Sequence, residues 1–403
     1  MNKFHVFCLG LIFTPFRRLY KIKENLWVFG SDSGLGYGQN SKYLFEYILS
    51  HDKDINAYWI TKSKDIYKRL NDKGLPVLYN YSIKGIIYSL TAKVKVVSTW
   101  FTDIDYTLKD KRQFVAYLEH GMPIKKVFYD YVQEGKKPLY KKIMAMVNDF
   151  FTVNYKLEYS CFTPASSDFY KSILSKAMRN NNVFTCGQPR TDAFISMDTS
   201  KIKSKFSIDN DCLVVSYLPT HRSYGKGEAS PHIFINNQKA ISFFKENKIK
   251  VIWKQHPNML QKYELKDAED CFIDLSFDRS VDTQELLFIS DILITDFSSC
   301  FIDYLSLKKP VLFFNYDDYQ NTDNDLYLSI EDLEKVGSIV NNETDLLELI
   351  IDNIGKKSNG LNNYSFFNEF DDFRSCERSL AILKRITCSS TWEYTDNSFN
   401  EFA

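Results

Sequence analysis

The chain lacks a segment able to cross a bilayer. Its long apolar run, residues 4–16 (FHVFCLGLIFTPF), stops after thirteen positions, whereas a membrane-crossing helix needs about 20. The order of a secretory signal is missing too. Arg17, Arg18, Lys21 and Lys23 follow the apolar run instead of preceding it, and no small-residue cleavage site appears. Nor is there a surplus of charge of one sign. Lys plus Arg and Asp plus Glu both number 51, while a dedicated duplex DNA binder carries a basic excess. Nucleic acid is therefore not an expected partner. The eight cysteines form no CxxC pair and no Cys/His cluster with zinc spacing, which excludes a structural zinc site. They are scattered through apolar segments, as small buried hydrophobes of a reducing compartment are. Repeats and low-complexity tracts are absent. With 44% hydrophobic and 25% charged residues, the chain is neither disordered, collagen-like nor a coiled coil.

What is present is an alternating pattern. At roughly 150 residues per domain, 403 residues suggest two to three domains. Short apolar runs at residues 26–30 (LWVFG), 55–60, 76–79, 94–98, 114–118, 150–153 and 183–185 read as strands. Amphipathic stretches such as 41–49 and 66–70 separate them, which implies βαβ units and a parallel sheet. Residues 196–211 are polar and lack a strong apolar period, marking the approach to a second domain. A second strand series follows at 212–217 (CLVVSY), 249–253, 271–274, 292–295 and 311–314, with helices at 237–245, 283–289 and 298–307. A C-terminal helix over 366–385 is expected to cross back onto the first domain. The expected organisation is a surface segment over 1–24, an N-terminal Rossmann-like domain over 25–195, a second over 196–365, and a helix and tail over 366–403. Two such domains facing one another form a central cleft, and ligands bind at the carboxyl ends of their strands. The apolar run with its basic flank suits a membrane surface, where cations meet anionic headgroups; a helix packed on the core is the plain alternative.

The chemistry-bearing residues fall at predicted strand ends. In SDILITDFSSCFIDYLSLKKP, residues 290–310, a strand ends at Asp296, and Ser298 and Ser299 sit where a helix should begin. Free N–H groups, two hydroxyls and the positive helix end would together favour phosphate. Asp303, one turn on, could accept hydrogen bonds from ribose hydroxyls. An ordinary capped helix explains the same pattern. His120 follows the strand FVAYL and precedes Gly121, Pro123, Lys125 and Lys126. A histidine on a Gly/Pro turn suits proton transfer, and the lysines suit phosphate. Lys254 and His256 alternate after the strand VIW, and Pro257 pushes His256 toward extended backbone. Thr220, His221 and Arg222 follow CLVVSY, while Gly187, Pro189, Arg190 and Asp192 lie near the domain junction. The loop holding Gly34, Gly36, Tyr37 and Gly38 stands between strand and helix. Its GxGxG spacing departs from the dinucleotide fingerprint GxGxxG, so a flexible acceptor-binding loop is the expectation there. Asp103 and Asp105 form an Asp-x-Asp pair of a type that can chelate a metal but is common in loops.

In this order, His120-Gly121-x-Pro123-x-Lys125-Lys126, Gly187-x-Pro189-Arg190-x-Asp192, Pro219-Thr220-x-Arg222, Lys254-x-His256-Pro257 and the block over 290–310 resemble the CDP-glycerol glycerophosphotransferase family, which builds teichoic-acid and related capsular polymers. The resemblance covers residues 26–320. It implies a GT-B-like α/β fold of two Rossmann-like domains. It implies a peripheral enzyme on the cytoplasmic face of the cell membrane, with a CDP-activated polyol as donor substrate and a lipid-linked or growing polymer as acceptor. No obligatory metal or cofactor is implied. His120 is then the base. His256 is the second catalytic candidate, beside the donor phosphates. Arg190 at the end of the first domain and Thr220, Arg222, Lys254, Ser298, Ser299 and Asp303 in the second bind the donor, while Gly36, Tyr37, Lys125 and Lys126 lie on the acceptor side. Three positions depart from the family pattern. Leu118 and Glu119 replace a Thr-Trp pair before the histidine, and His221 replaces a Trp, which leaves open whether glycerol phosphate, ribitol phosphate or another unit is moved. Two other readings share part of this pattern: a GT-B glycosyltransferase using a nucleotide sugar, and a non-catalytic scaffold of polymer assembly.

Overall fold

The computed structural model describes residues 19, 21–105, 110–131, 157–220, 233–255, 270–278, 281–296, 298–316, 326–356 and 364–388. The apolar run over 4–16, the candidate strand at 150–153, and His221, Arg222 and His256 lie outside the described residues. The chain divides into two compact units. The first comprises Met1–Met122, Val127–Asp192 and Asp372–Ala403, and the second Pro123–Lys126 and Ala193–Asp371.

The first unit is built on β1 (Lys23–Gly30), β2 (Asn56–Thr61), β3 (Val77–Tyr79), β4 (Ala92–Val97) and β5 (Phe114–Tyr117), all parallel, in the order β3-β2-β1-β4-β5. A further parallel pair, β6 (Thr163–Ala165) and β7 (Val183–Thr185), continues from β5 through a bridge between Ala116 and Phe162. Strands covered on both faces must be apolar throughout, and the last five residues of β1 are all buried. Helices α1 (Gln39–His51), α2 (Lys64–Asp72) and α3 (Ile83–Thr91) make the crossovers, and α4 (Asp168–Met178) joins β6 to β7. Ser63, Ser82 and Ser167 start α2, α3 and α4 by accepting backbone N–H bonds. Helix α1 buries Tyr43, Leu44, Phe45 and Ile48. Phe45 meets Phe29 and Trp59 with ring centroids 5.3 and 5.7 Å away. Burial of each such side chain contributes about 1.5–3 kcal/mol.

The second unit carries β8 (Leu213–Tyr217), β9 (Ile249–Trp253), β10 (Phe272–Asp274), β11 (Ile292–Thr295), β12 (Val311–Phe314) and β13 (Ser338–Val340) in one all-parallel sheet, ordered β10-β9-β8-β11-β12-β13. Helices α5 (Thr199–Lys205), α6 (Gln238–Glu246), α7 (Thr283–Ile289), α8 (Cys300–Leu305), α9 (Ile330–Glu334), α10 (Glu343–Asn353) and α11 (Tyr364–Phe367) accompany it. Phe244, Trp253 and Phe272 anchor its core on one side of the sheet. The last helix, α12 (Ser375–Thr387), belongs to the first unit. In each sheet the strand order reverses beside the first strand, between β1 and β4 and between β8 and β11. Such switch points open at the carboxyl ends of the strands.

Three differences from the expected elements have physical causes. The single helix over 366–385 is two, α11 and α12, because Phe373 takes φ 53° and Arg374 is not helical. The polar stretch over 196–211 contains α5, started by the Asp198 side chain, which accepts from the N–H groups of Ser200 and Lys201. Strands β6 and β13 have three residues each, too few to show a period of two.

Two lysines interrupt the apolar run of β4. Lys93 Nζ reaches Glu24 at 2.8 Å. Lys95 is fully buried, with Nζ 3.1 Å from Gln113 Oε1. Burial drives its pKa from 10.5 down to about 7, with Asp110 opposing the drop. Below pH 7 the ammonium is charged in both the folded and unfolded chain, so folding bears the full desolvation cost. Above 10.5 it is neutral in both and bears none. Lys95→Met should therefore gain most over the wild type at pH 6. Urea melts should show that advantage shrinking by roughly 4 kcal/mol as pH rises toward 10. A difference independent of pH would mean that Lys95 titrates normally.

Candidate active site

In the first unit, β1, β4 and β5 release their chains into residues 31–38, 98–105 and 118–121. The loop after β1 runs through the left-handed region at Asp32 (φ 50°), Ser33 (57°) and Gly34 (80°). Expected to be flexible, it is instead pinned by hydrogen bonds. Ser33 N–H donates to Asp103 Oδ1 at 2.7 Å, Asp32 N–H to Thr99 Oγ1 at 3.0 Å, and Lys62 N–H to the Gly34 carbonyl at 2.7 Å. Gly36 answers a close approach, since a Cβ there would lie 2.2 Å from Asp32 Oδ2. The Tyr37 hydroxyl donates to Glu46 Oε1 at 2.7 Å, and its ring stands edge-on to Trp59 at 4.7 Å. Both residues thus build the loop and its seat on α1 and β2.

The Asp-x-Asp pair is taken up by protein groups. Asp103 Oδ2 accepts from the N–H groups of Ser98, Thr99 and Trp100 at 3.0, 2.9 and 3.3 Å. Burial pushes its carboxyl up to about 6 against the pull of these bonds. Asp105 lies 2.6 Å from Lys62 Nζ and accepts from Asn80 Nδ2 at 2.9 Å.

His120 stands where β5 ends, its side chain 55% exposed. Its Nδ1 lies 3.2 Å from Oε2 of Glu119, and its own N–H donates to the same oxygen at 3.1 Å. Partial desolvation opposes charge on the imidazole, but the Glu119 carboxylate outweighs it and lifts the pKa above the ordinary value. Arg190 is buried, and its Nη1 donates to the His120 carbonyl and to Gln39 Oε1. Asn40, fully buried, joins the pieces. Its Nδ2 donates to the carbonyls of Leu118 and Glu119 at 2.9 and 3.1 Å and to Gln188 Oε1 at 2.9 Å, while Oδ1 accepts from Arg190 N–H at 3.1 Å. Gly187 takes φ 82°, and a Cβ there would lie 2.2 Å from Ser375 Oγ. Asp192 caps α12 by accepting from Ser375 and Cys376 N–H. The Gly187 to Asp192 motif therefore positions His120 and α12 through buried contacts. Sequence reasoning missed Asp32, Asn40 and Gln188, and noted Glu119 only as a departure. Their signal was modest: polar residues at the exit of a strand or the first turn of a helix.

In the second unit the exits of β8 and β11 are locked together. Thr220 donates to Asp296 Oδ1 from its N–H at 2.7 Å and from its hydroxyl, and Thr295 Oγ1 donates to the Leu218 carbonyl at 2.7 Å. Ser298 and Ser299 follow, both half-buried. Ser299 holds the N-cap place of α8 in a helical conformation, and its side chain makes no capping bond. Asp303 is buried and accepts from Gln284 Nε2 at 2.9 Å, so it faces α7. Lys254 Nζ donates to the carbonyls of Leu275 and Asp278 at 3.2 and 3.0 Å, and burial lowers its pKa. It fastens the loop after β10. Lys125 pairs with Leu326 in an isolated antiparallel bridge, and Lys126 beside it is half-buried.

A family model described as CDP-Glycerol:Poly(glycerophosphate) glycerophosphotransferase matches residues 12–386. The teichoic acid poly(glycerol phosphate) polymerase of Bacillus subtilis is 26% identical over 351 residues, 82% of this chain and 44% of its own length. The teichoic acid glycerol-phosphate transferase of Staphylococcus aureus is 26% identical over 352 residues, 84% of this chain and 87% of its own. The ribitol-phosphate polymerase TarL of the same species is 25% identical over 331 residues, 78% of this chain and 55% of its own. The chain thus spans about half the length of the two polymerases. The solved structure of the wall teichoic acid polymerase TagF superposes with a TM-score of 0.72 at 22% identity, covering 96% of this chain and 98% of that one. The expected GT-B-like α/β fold is borne out.

Because Ser299 caps nothing, the double variant Ser298→Ala/Ser299→Ala should lose less than about 0.5 kcal/mol of stability, short of the ~1 kcal/mol typical of a lost N-cap. A melting curve showing the larger loss would return these serines to a capping role.

Proposed function

The chain belongs to the CDP-glycerol:poly(glycerophosphate) glycerophosphotransferase family, and from that premise we propose that it transfers a polyol phosphate from a CDP-activated donor to a lipid-linked or growing cell-surface polymer, releasing CMP. The observation that carries the reading is the landing of His120, Thr220, Ser298 and Ser299 at carboxyl ends of parallel strands. His120 takes the proton of the acceptor hydroxyl. The freed oxygen attacks the outer phosphorus of the donor, the bond from that phosphorus to the bridging oxygen breaks, and CMP leaves with the electron pair. Phosphoryl transfer asks the protein mainly for positioning and charge neutralisation. Thr220, Ser298 and Ser299 hold the donor phosphates, joined by Arg222 and His256. Lys125 and Lys126 supply positive charge on the acceptor side. Arg190 and Lys254 act at one remove, through the His120 carbonyl and the loop after β10. Glycerol phosphate and ribitol phosphate both fit, since relatives of the two kinds are 26% and 25% identical.

A donor screen tests the reading. CMP release is expected with CDP-glycerol or CDP-ribitol and an acceptor, and not with CMP-sialic acid or UDP-sugars. Turnover of a nucleotide sugar instead would make the protein a GT-B glycosyltransferase, and binding without turnover would make it a scaffold. His120→Ala should cut turnover by about 10²–10⁴ while donor binding survives. Calorimetric titration should show Ser298→Ala/Ser299→Ala binding the donor more than about tenfold more weakly, because each hydrogen bond to a charged group contributes about 1.5–3 kcal/mol.

Among the described residues no helix is long and apolar enough to cross a membrane. We place the protein peripherally on the cytoplasmic face, held by the apolar run and its basic flank. Since β1 begins at Lys23, deletion of residues 1–20 spares the sheet. In flotation with anionic vesicles the full chain should rise with lipid and the shortened chain should stay behind. Flotation of both would point to another surface.

A further inference from the structure

We propose that Glu119 is the positioning residue of His120, its carboxylate holding the imidazole by Nδ1 so that Nε2 is left to receive the acceptor's proton. The proposal rests on the reading of His120 as the base. It begins from a backbone anomaly. Glu119 takes φ 59°, a conformation that glycine adopts at little cost and other residues adopt under strain. The side chain is nonetheless kept there, and it is buried to 3% exposure. It is fixed from both ends. The Glu119 carbonyl accepts from Asn40, and its Oε2 serves both the N–H and the Nδ1 of His120 at 3.1 and 3.2 Å. Beneath it lies the fully buried Tyr117, whose hydroxyl is pushed up first by burial and then by Glu119 and Asp103.

The chemistry follows from the tautomer. A neutral imidazole that donates Nδ1–H to Glu119 carries its lone pair on Nε2. The proton passes from the acceptor oxygen to Nε2, Nδ1–H stays in place, and the imidazolium so formed lies against a carboxylate. Among the described residues, the charged groups that act most on His120 are Glu119 and Asp32, which favour the added proton, and Arg190, which opposes it. Of these, the two carboxylates reach it from the exits of β5 and β1.

The experiment uses the full chain labelled with ¹⁵N and ¹³C at histidine. Six histidines keep the spectrum readable, and loss of one set of signals in His120→Ala assigns the site. Glu119→Gly suits the left-handed backbone, so it should fold and melt no lower than the wild type. Its His120 imidazole should titrate lower, because the carboxylate that favours the added proton is gone, and lose the fixed Nδ1–H tautomer. Turnover with the CDP-polyol should fall about tenfold or more, with the donor KM unchanged and the acid limb of the kcat profile following the imidazole. Glu119→Gln, which keeps an acceptor but no charge, should retain the tautomer and shift the titration less. An imidazole whose titration and tautomer are the same in Glu119→Gly as in the wild type overturns the proposal. If the imidazole shifts while the kcat profile does not, Glu119 holds His120 but the histidine is not the base. The failure then falls on the functional reading.

Discussion

An all-parallel sheet leaves its chemistry only the strand ends, because helices cover both faces and polar groups along the strands must find partners inside. Strand β4 shows what a departure requires. Lys93 reaches out to Glu24, and Lys95 settles against Gln113 at the cost of much of its basicity. The same constraint gathers the reactive side chains at strand exits. His120 follows β5, Thr220 follows β8, and the two serines follow β11. Each unit thus presents its polar side chains where strands stop and hydrogen-bonding groups become available.

Within the first unit one side chain converts this general edge into a defined geometry. Asn40 binds two successive carbonyls just past the β5 exit and the turn that carries Arg190. It sits in the first turn of α1, itself fixed by Phe45 between Phe29 and Trp59. The position of His120 therefore derives from hydrophobic packing tens of residues away in sequence, transmitted through one buried amide. Buried polar groups that are fully bonded specify a single arrangement more sharply than apolar contacts do.

The strand series was legible because apolar runs of three to six residues bounded by turns have few other readings, and the histidine because it sits on a Gly/Pro turn directly after one. What escaped the sequence depends on three-dimensional context. Asp303 reads as a free carboxylate one turn into a helix, but Gln284 lies across from it on α7 and turns it inward. Lys254 looks like a phosphate ligand until the carbonyls of Leu275 and Asp278 are seen to occupy it. Ser299 has the right identity and place for a cap, yet its helical backbone angles keep its hydroxyl from capping. Glu119 is an unremarkable letter in LEHG. Its meaning comes from its left-handed φ and from its burial.

The capping of α12 by Asp192 has a temporal side. The two partners are 183 residues apart in sequence, and between them lies nearly all of the second unit. A ribosome adding about 5–20 residues per second delivers all six strands of that unit before it delivers α12. The second unit can close while translation proceeds. The first, with Asp52 awaiting Lys384 and Cys186 awaiting Arg378, stays without its last helix until synthesis has passed Thr387. The half of the protein that is made first, and that bears His120, is the half completed last.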